Sequence, residues 1–193
     1  MKDLDRLAAA IRTLPVSCGP VRLVAVDGHA GSGKSTFSAK LAGALGGAPV
    51  LHLDDLATHQ QLFDWTDRLH AQVIEPFTRG APARYAPYDW TLRDFGPERT
   101  MDPADVVVVE GVGAGRRALR PYLARLLWMD RPAGSSWSRG RHRDGPALAD
   151  FWDGWTLAEM RHFAGDPSRP FADVMVRECK EGYEWFQAPA VTA

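Results

Sequence analysis

The chain offers little from which to build a disulfide framework, a structural zinc site or a membrane span. Only two cysteines occur in its 193 residues. Cys18 and Cys179 form no CxxC pair and lie far apart, which argues against cross-linking and zinc binding. No apolar run reaches the roughly 18 residues that a membrane-crossing helix requires. The net charge is −1, so no basic field points to nucleic acid or to an anionic membrane. The opening segment, MKDLDRLAAAIRTLP, carries two early acids and alternates apolar with charged residues. That is the pattern of a short amphipathic helix and not of a signal peptide. A cytoplasmic protein without nucleic-acid or membrane partners is expected, and a homo-oligomer is left open. Switch and transport signatures are missing as well. Neither a guanine-reading (N/T)KxD nor a DxxG pattern occurs, and there is no LSGGQ-type signature. His52, His59 and His70 show no metal spacing.

What is present is a regular alternation of apolar strands and helical segments. VRLVAVD (21–27), PVLHLDD (49–55), DVVVVEG (105–111), LLWMD (126–130) and ADVMVRE (172–178) read as buried strands. Helices are predicted at the amino terminus, over KSTFSAKLAGALG, from about 59 to 79, over RRALRPYLAR, and over PALADFWDGWTLAEMRHFA. Pro76 should disturb the end of the third of these. Residues 80–104, rich in proline and aromatics, read as a long loop or a pair of short strands. The expected architecture is α/β: a three-layer sandwich with a mostly parallel five-stranded sheet and helices on both faces. The length suits a single domain over 1–193.

Lysine is scarce, with four against nineteen arginines, yet one of the four stands in a glycine-rich turn. Gly28-His-Ala-Gly-Ser-Gly33-Lys34-Ser35 satisfies GxxxxGK(S/T) between a predicted strand and a predicted helix. Glycines let successive N–H groups face one concavity, and the helix that follows adds its positive end. His29, Ala30, Gly31, Ser32, Gly33, Lys34, Ser35 and Thr36 are therefore the expected nucleotide-binding residues, with Lys34 on the outer phosphates and the Ser35 hydroxyl on Mg²⁺. Three acids end the neighbouring strands: Asp54, Asp55 and Glu110. A carboxylate there can hold Mg²⁺ or accept a proton from an attacking hydroxyl; capping the next helix is the plainer use. Asp27 is expected to order the turn's backbone, and Asp130 to be structural. SRGRHRDG (138–145) reads as an arginine-glycine loop, a lid over about 137–146 whose guanidinium groups close on phosphate. Arg143 is favoured for that contact, with Arg139 also on the nucleotide. Trp65 and Trp90 are candidates for stacking on a ring.

Together GHAGSGKST, HLDD, FDWTDRL, ARYAPYDW, ADVVVVEG and RGRHRDG resemble, in order and spacing, the uridine kinase-like branch of P-loop kinases. The resemblance spans roughly residues 21 to 178. It implies ATP and Mg²⁺, with Asp54 as general base toward a small-molecule acceptor. Glu110 would lie near Mg²⁺ and the acceptor, Tyr88 and Asp89 would line the acceptor pocket, and Arg143 would belong to the lid. Asp55 and Asp64 complete the acceptor side, with Asp67 an alternative to Asp64 for sugar hydroxyls. Two departures fall there. Leu56-Ala57 stands where the family shows Phe-Tyr, and Arg93 replaces a base-recognising histidine. Arg93 suits an acidic acceptor, or is simply a surface arginine. The acceptor is a nucleoside, a pantothenate-like acid, a sugar or a vitamin. A nucleotide-binding ATPase or switch without an acceptor is the alternative.

Overall fold

A computed structural model of the chain describes residues 2–188. In chain order it holds α1 (Lys2–Arg12), β1 (Arg22–Asp27), α2 (Lys34–Ala44), β2 (Val50–His52), α3 (Thr66–Leu69), α4 (Glu75–Thr78), β3 (Ala83–Tyr85), β4 (Tyr88–Asp89), β5 (Asp94–Phe95) and β6 (Arg99–Met101). Then follow β7 (Val106–Glu110), β8 (Leu123–Met129), α5 (Ala133–Asp144), α6 (Ala149–Gly165), β9 (Val174–Cys179) and β10 (Gly182–Gln187). The main sheet has six strands in the order β10-β9-β8-β1-β7-β2. All five predicted strands are there and run parallel; β10 adds an antiparallel edge paired with β9. The sixth strand escaped the sequence reading because Gly-Tyr-Glu-Trp-Phe-Gln lacks the apolar run of its neighbours. It takes strand form through pairing with β9.

Both faces of the sheet are covered, and side-chain alternation decides what each strand presents to which layer. Leu7 and Ile11 of α1 and Phe37 and Leu41 of α2 pack on Val24, Val26, Val106 and Val108. On the opposite face Trp65, Leu69, Ile74 and Phe77 pack on Leu23, Ala25, Val107 and Val109. The same alternation sends Glu110 toward the α2 face and Asp27 toward the other. Residues 80–104 form two small hairpins, β3 with β6 and β4 with β5.

Three predicted elements differ. The third helix begins at Thr66, not 59, and a π turn at His70–Ile74 joins α3 to α4 just before Pro76. A proline within a helix removes one hydrogen bond and crowds the preceding turn, which a wider turn relieves. RRALRPYLAR is not a helix; only a short 3₁₀ turn forms at Arg120–Tyr122, and β8 begins at Leu123. Here the Asp166 carboxylate takes the Arg117 N–H at 3.1 and 2.9 Å, and Pro121 offers no N–H at all. The arginine-glycine segment is not a loop: Ala133–Asp144 is helix α5. Pro132 before it and Gly145 after it, at φ 77°, bracket the helix, and Arg141, His142 and Arg143 complement the negative end of its dipole.

Candidate functional site

The glycine-rich turn joins β1 to α2. Gly31 and Gly33 adopt φ of 80° and 101°, conformations that side chains disfavour. Gly33 caps α2 without any side-chain hydrogen bond, so the N–H groups of the first turn remain available to an anion. Lys34 is buried, and its Nζ donates to the Gly28 and His29 carbonyls, both at 3.0 Å. Asp27 orders the turn as expected. Wholly buried, its Oδ1 accepts the Gly28 N–H at 2.7 Å and the Gly113 N–H at 2.9 Å, and its Oδ2 accepts the Gly115 N–H at 2.9 Å. One carboxylate thus ties the turn to the segment after β7.

Next to the turn stand the strand-end acids. His52 of β2 is the register partner of Glu110 of β7, so both side chains project to the same face, and His52 Nδ1 lies 2.5 Å from Glu110 Oε1. Burial alone would push the Glu110 carboxyl up. The His52 hydrogen bond, the Lys34 charge and a hydrogen bond with Ser35 outweigh it and hold the group below its usual range. His52 is correspondingly raised, first by its hydrogen bond to Glu110. Asp54 and Asp55 sit on a 3₁₀ turn, Leu53–Asp55, that continues β2. The Asp54 carboxyl is surrounded by protein yet reached by water through the cleft. Enclosure and the Glu110 charge raise it, against Lys34 and His52.

A cleft of about 500 Å³ gathers these groups. Ala30, Gly31, Lys34 and Ser35 line one end, Asp54 and Glu110 the floor, and Arg143 with Asp144 the side formed by α5. Five rings, His59, Trp90, Phe151, Trp152 and Trp155, form an aromatic wall, with Thr91, Gly111, Val112 and Leu148 between the other groups. His59 leans on Trp90 with ring centres 4.8 Å apart, and its Nδ1 is 2.9 Å from the Tyr88 hydroxyl. Trp90 Nε1 donates to the Asp54 carbonyl at 3.1 Å, fastening the wall to the acidic turn. Arg143 is fixed by Asp144, at 2.6 and 2.9 Å, and Asp144 also accepts the Trp152 N–H at 3.1 Å.

A strand, a glycine turn and the open start of a helix face acids on the adjacent strands, and the fold that carries them is similar to two solved structures. One is a possible uridine kinase from Bacillus stearothermophilus, with a TM-score of 0.58, 18% identity, and 84% of this chain and 94% of that one covered. The other, provisionally named a fructose transport system kinase, is from Silicibacter sp. TM1040, with a TM-score of 0.51, 23% identity, and 82% and 88% covered. The chain shares the α/β fold of these two structures. No protein-family model matches it, and no curated protein matches it by sequence.

Within this fold the predicted residues divide. Ala30, Gly31, Lys34, Ser35, Asp54, Glu110 and Arg143 meet in the cleft, as does Trp90. Ser32, Thr36 and Gly33 belong to the loop and α2 but do not line it. The His29 side chain turns away, packed edge-on against Trp128, Trp137 and Phe163 and bonded to Glu159. Arg139 lies beside Gly33 and pairs with Glu178 at 2.7 Å. Asp55 pairs with Arg99 at 3.8 Å. Tyr88 stands behind His59. Asp89 spends its Oδ1 on the N–H groups of Thr91 and Leu92, both at 2.8 Å, and Arg93 takes φ 58° in the same turn. Asp64 and Asp67 are exposed, and Trp65 is buried in the core. Sequence reading missed His59, Phe151, Trp152, Trp155 and Glu159. For the last three a signal existed. Trp152, Trp155, Glu159 and Phe163 recur at helical spacing, so an acid sits in an aromatic stripe. His59 carried none.

Proposed function

We propose that this chain is an Mg-ATP-dependent kinase that transfers the γ-phosphoryl group to a hydroxyl of a nucleoside-like acceptor. The observation that carries the reading is the meeting of Lys34, Asp54 and Arg143 in one cleft. These are a phosphate cation, a carboxylate with a raised pKa and a second cation, drawn from three distant stretches of chain. In this mechanism the acceptor hydroxyl gives its proton to Asp54 while its oxygen attacks the γ-phosphorus. The bond from that phosphorus to the β–γ bridging oxygen breaks, and ADP leaves. Lys34 and Arg143 balance charge on the phosphoryl oxygens, where positioned cations lower the barrier most. Magnesium fits the hard oxygen donors that the Ser35 hydroxyl and the Glu110 carboxylate provide, hydrogen-bonded to each other. Bound there, it would draw charge from the phosphate oxygens.

The aromatic wall supports an acceptor with a flat ring over an open-chain one. Arg139, beside Gly33, is read as a nucleotide contact. The whole chain, 1–193, is read as one kinase unit with α5 as its arginine-bearing lid. We place it in the cytoplasm, where Mg-ATP is supplied; among the described residues no helix is long and apolar enough to cross a membrane.

The test is ADP release from Mg-ATP with uridine, cytidine, nicotinamide riboside, pantothenate and simple sugars, beside a control without acceptor. Acceptor-dependent ADP with a ring-bearing alcohol is expected. Equal ADP with and without acceptor would make the protein an ATPase and end the kinase reading.

A further inference from the structure

Glu159 of α6 is wholly buried, and its carboxylate is the meeting point of three parts of the fold. Oε1 accepts from His29 Nδ1 at 2.7 Å and from Trp137 Nε1 at 3.0 Å. Oε2 accepts from the Ala30 N–H at 3.1 Å and from Trp155 Nε1 at 3.0 Å. Two bonds to each oxygen fill the acceptor capacity of an ionised carboxylate. Two donors belong to the phosphate loop, one to α5 and one to α6 itself. A buried charge is tolerated only where its partners are complete, so these elements are held to one mutual arrangement.

Besides Trp137, helix α5 is placed by side chains at its surface: Arg139 pairs with Glu178 and Arg141 with Asp153, both at 2.7 Å, and Asp144 accepts the Trp152 N–H. Its buried residues are Ser136 and Gly140, neither carrying a large apolar side chain. It also lies directly on the loop. A Cβ on Gly31 would collide with the Ser136 carbonyl oxygen and stand 2.9 Å from the Gly140 nitrogen. The same helix brings Arg139 to Gly33 and Arg143 to the cleft. Any slip of α5 therefore moves both arginines relative to the loop.

We infer that Glu159 is a positioning residue that locks the phosphate loop to the arginine-bearing helix α5. The inference rests on the reading of that loop as a nucleotide site. The Ala30 N–H faces Glu159 and the Ser32 N–H donates to the His29 carbonyl at 3.0 Å, which leaves the N–H groups of Gly31 and of Gly33 onward for phosphate, and the His29 side chain serves the loop as its anchor.

Glu159→Gln keeps the volume but puts an amide NH₂ where one pair of donors needs an acceptor. Its Mg-ADP affinity, read by tryptophan fluorescence well below the melting temperature, should fall about tenfold or more. Backbone hydrogen exchange should quicken at 28–33 and 134–144 while β7 keeps its protection. Trp137→Phe cuts the α5 link alone, so exchange should quicken at 134–144 but not at 28–33, with a smaller loss of Mg-ADP affinity than in Glu159→Gln. Unchanged affinity in Glu159→Gln, or exchange accelerated equally in β7, would overturn the inference and leave a merely structural carboxylate. A parent protein that binds no Mg-ADP would defeat the nucleotide reading instead, and the exchange comparison would still decide whether Glu159 joins loop to helix.

Discussion

Replacing Asp54 by asparagine isolates the proton-accepting step from everything else in the cleft. The amide is isosteric and leaves the backbone carbonyl that receives the Trp90 N–H, so the aromatic wall stays fastened. Lys34 is bonded to the Gly28 and His29 carbonyls rather than to Asp54, so the loop keeps its geometry. Removing a negative charge beside Glu110 also relieves the repulsion between the two acids, which adds to burial in raising Asp54. Nothing that would hold ATP is lost. A positioned general base supplies about 10²–10⁴-fold, equivalent to about 3–5 kcal/mol of barrier. Turnover in a coupled ADP-release assay should drop by that factor while Mg-ATP affinity stays within about twofold of the parent. The parent should lose activity as pH falls through a value above the ordinary 3.8 of an aspartate, since only the ionised carboxylate accepts a proton. That acidic limb should vanish in the variant. Retention of more than about a tenth of turnover would refute the role assigned to Asp54.

Lys34→Ala should weaken Mg-ATP binding and lower the rate together, because the ammonium meets phosphate in ground and transition states alike; unaltered affinity by calorimetry would count against the loop assignment. Phe37→Ala empties a wholly buried site packed 5.0 Å from the Tyr183 ring. It should cost about 3–5 kcal/mol in urea denaturation, and a loss under about 1 kcal/mol would contradict the packing. Glu159 is pushed up by burial but brought below its ordinary 4.5 by His29, the Ala30 N–H and Trp137. A depressed carboxylate contributes stability in full above that ordinary value and loses it as pH falls through the folded one. Melting curves below pH 4.5 should therefore decline less steeply for Glu159→Gln than for the parent.

Sequence alone determined whatever depends on residues adjacent in the chain. GHAGSGKS fixes its own turn because the glycines, the lysine and the start of α2 are contiguous, and four consecutive valines specify β7 wherever it is placed. Five strands separated by crossover segments leave little choice but a parallel sheet, and such a sheet brings the ends of β2 and β7 to the loop. Asp54, Glu110 and Lys34 were legible for that reason. Tertiary structure decided the rest. SSWSRGRHRD carries loop-like residues, yet it becomes α5 where the absence of side chains at Gly31 and Gly140 lets it settle on the loop and on Trp152. Asp89 looks like a site residue in sequence and is spent on its own hairpin turn. The aromatic wall draws on positions 59, 90, 151, 152 and 155, and the Glu159 junction on 29, 30, 137 and 155. Local propensity carries no information about such long-range partners. Only packing brings them within hydrogen-bonding and van der Waals reach.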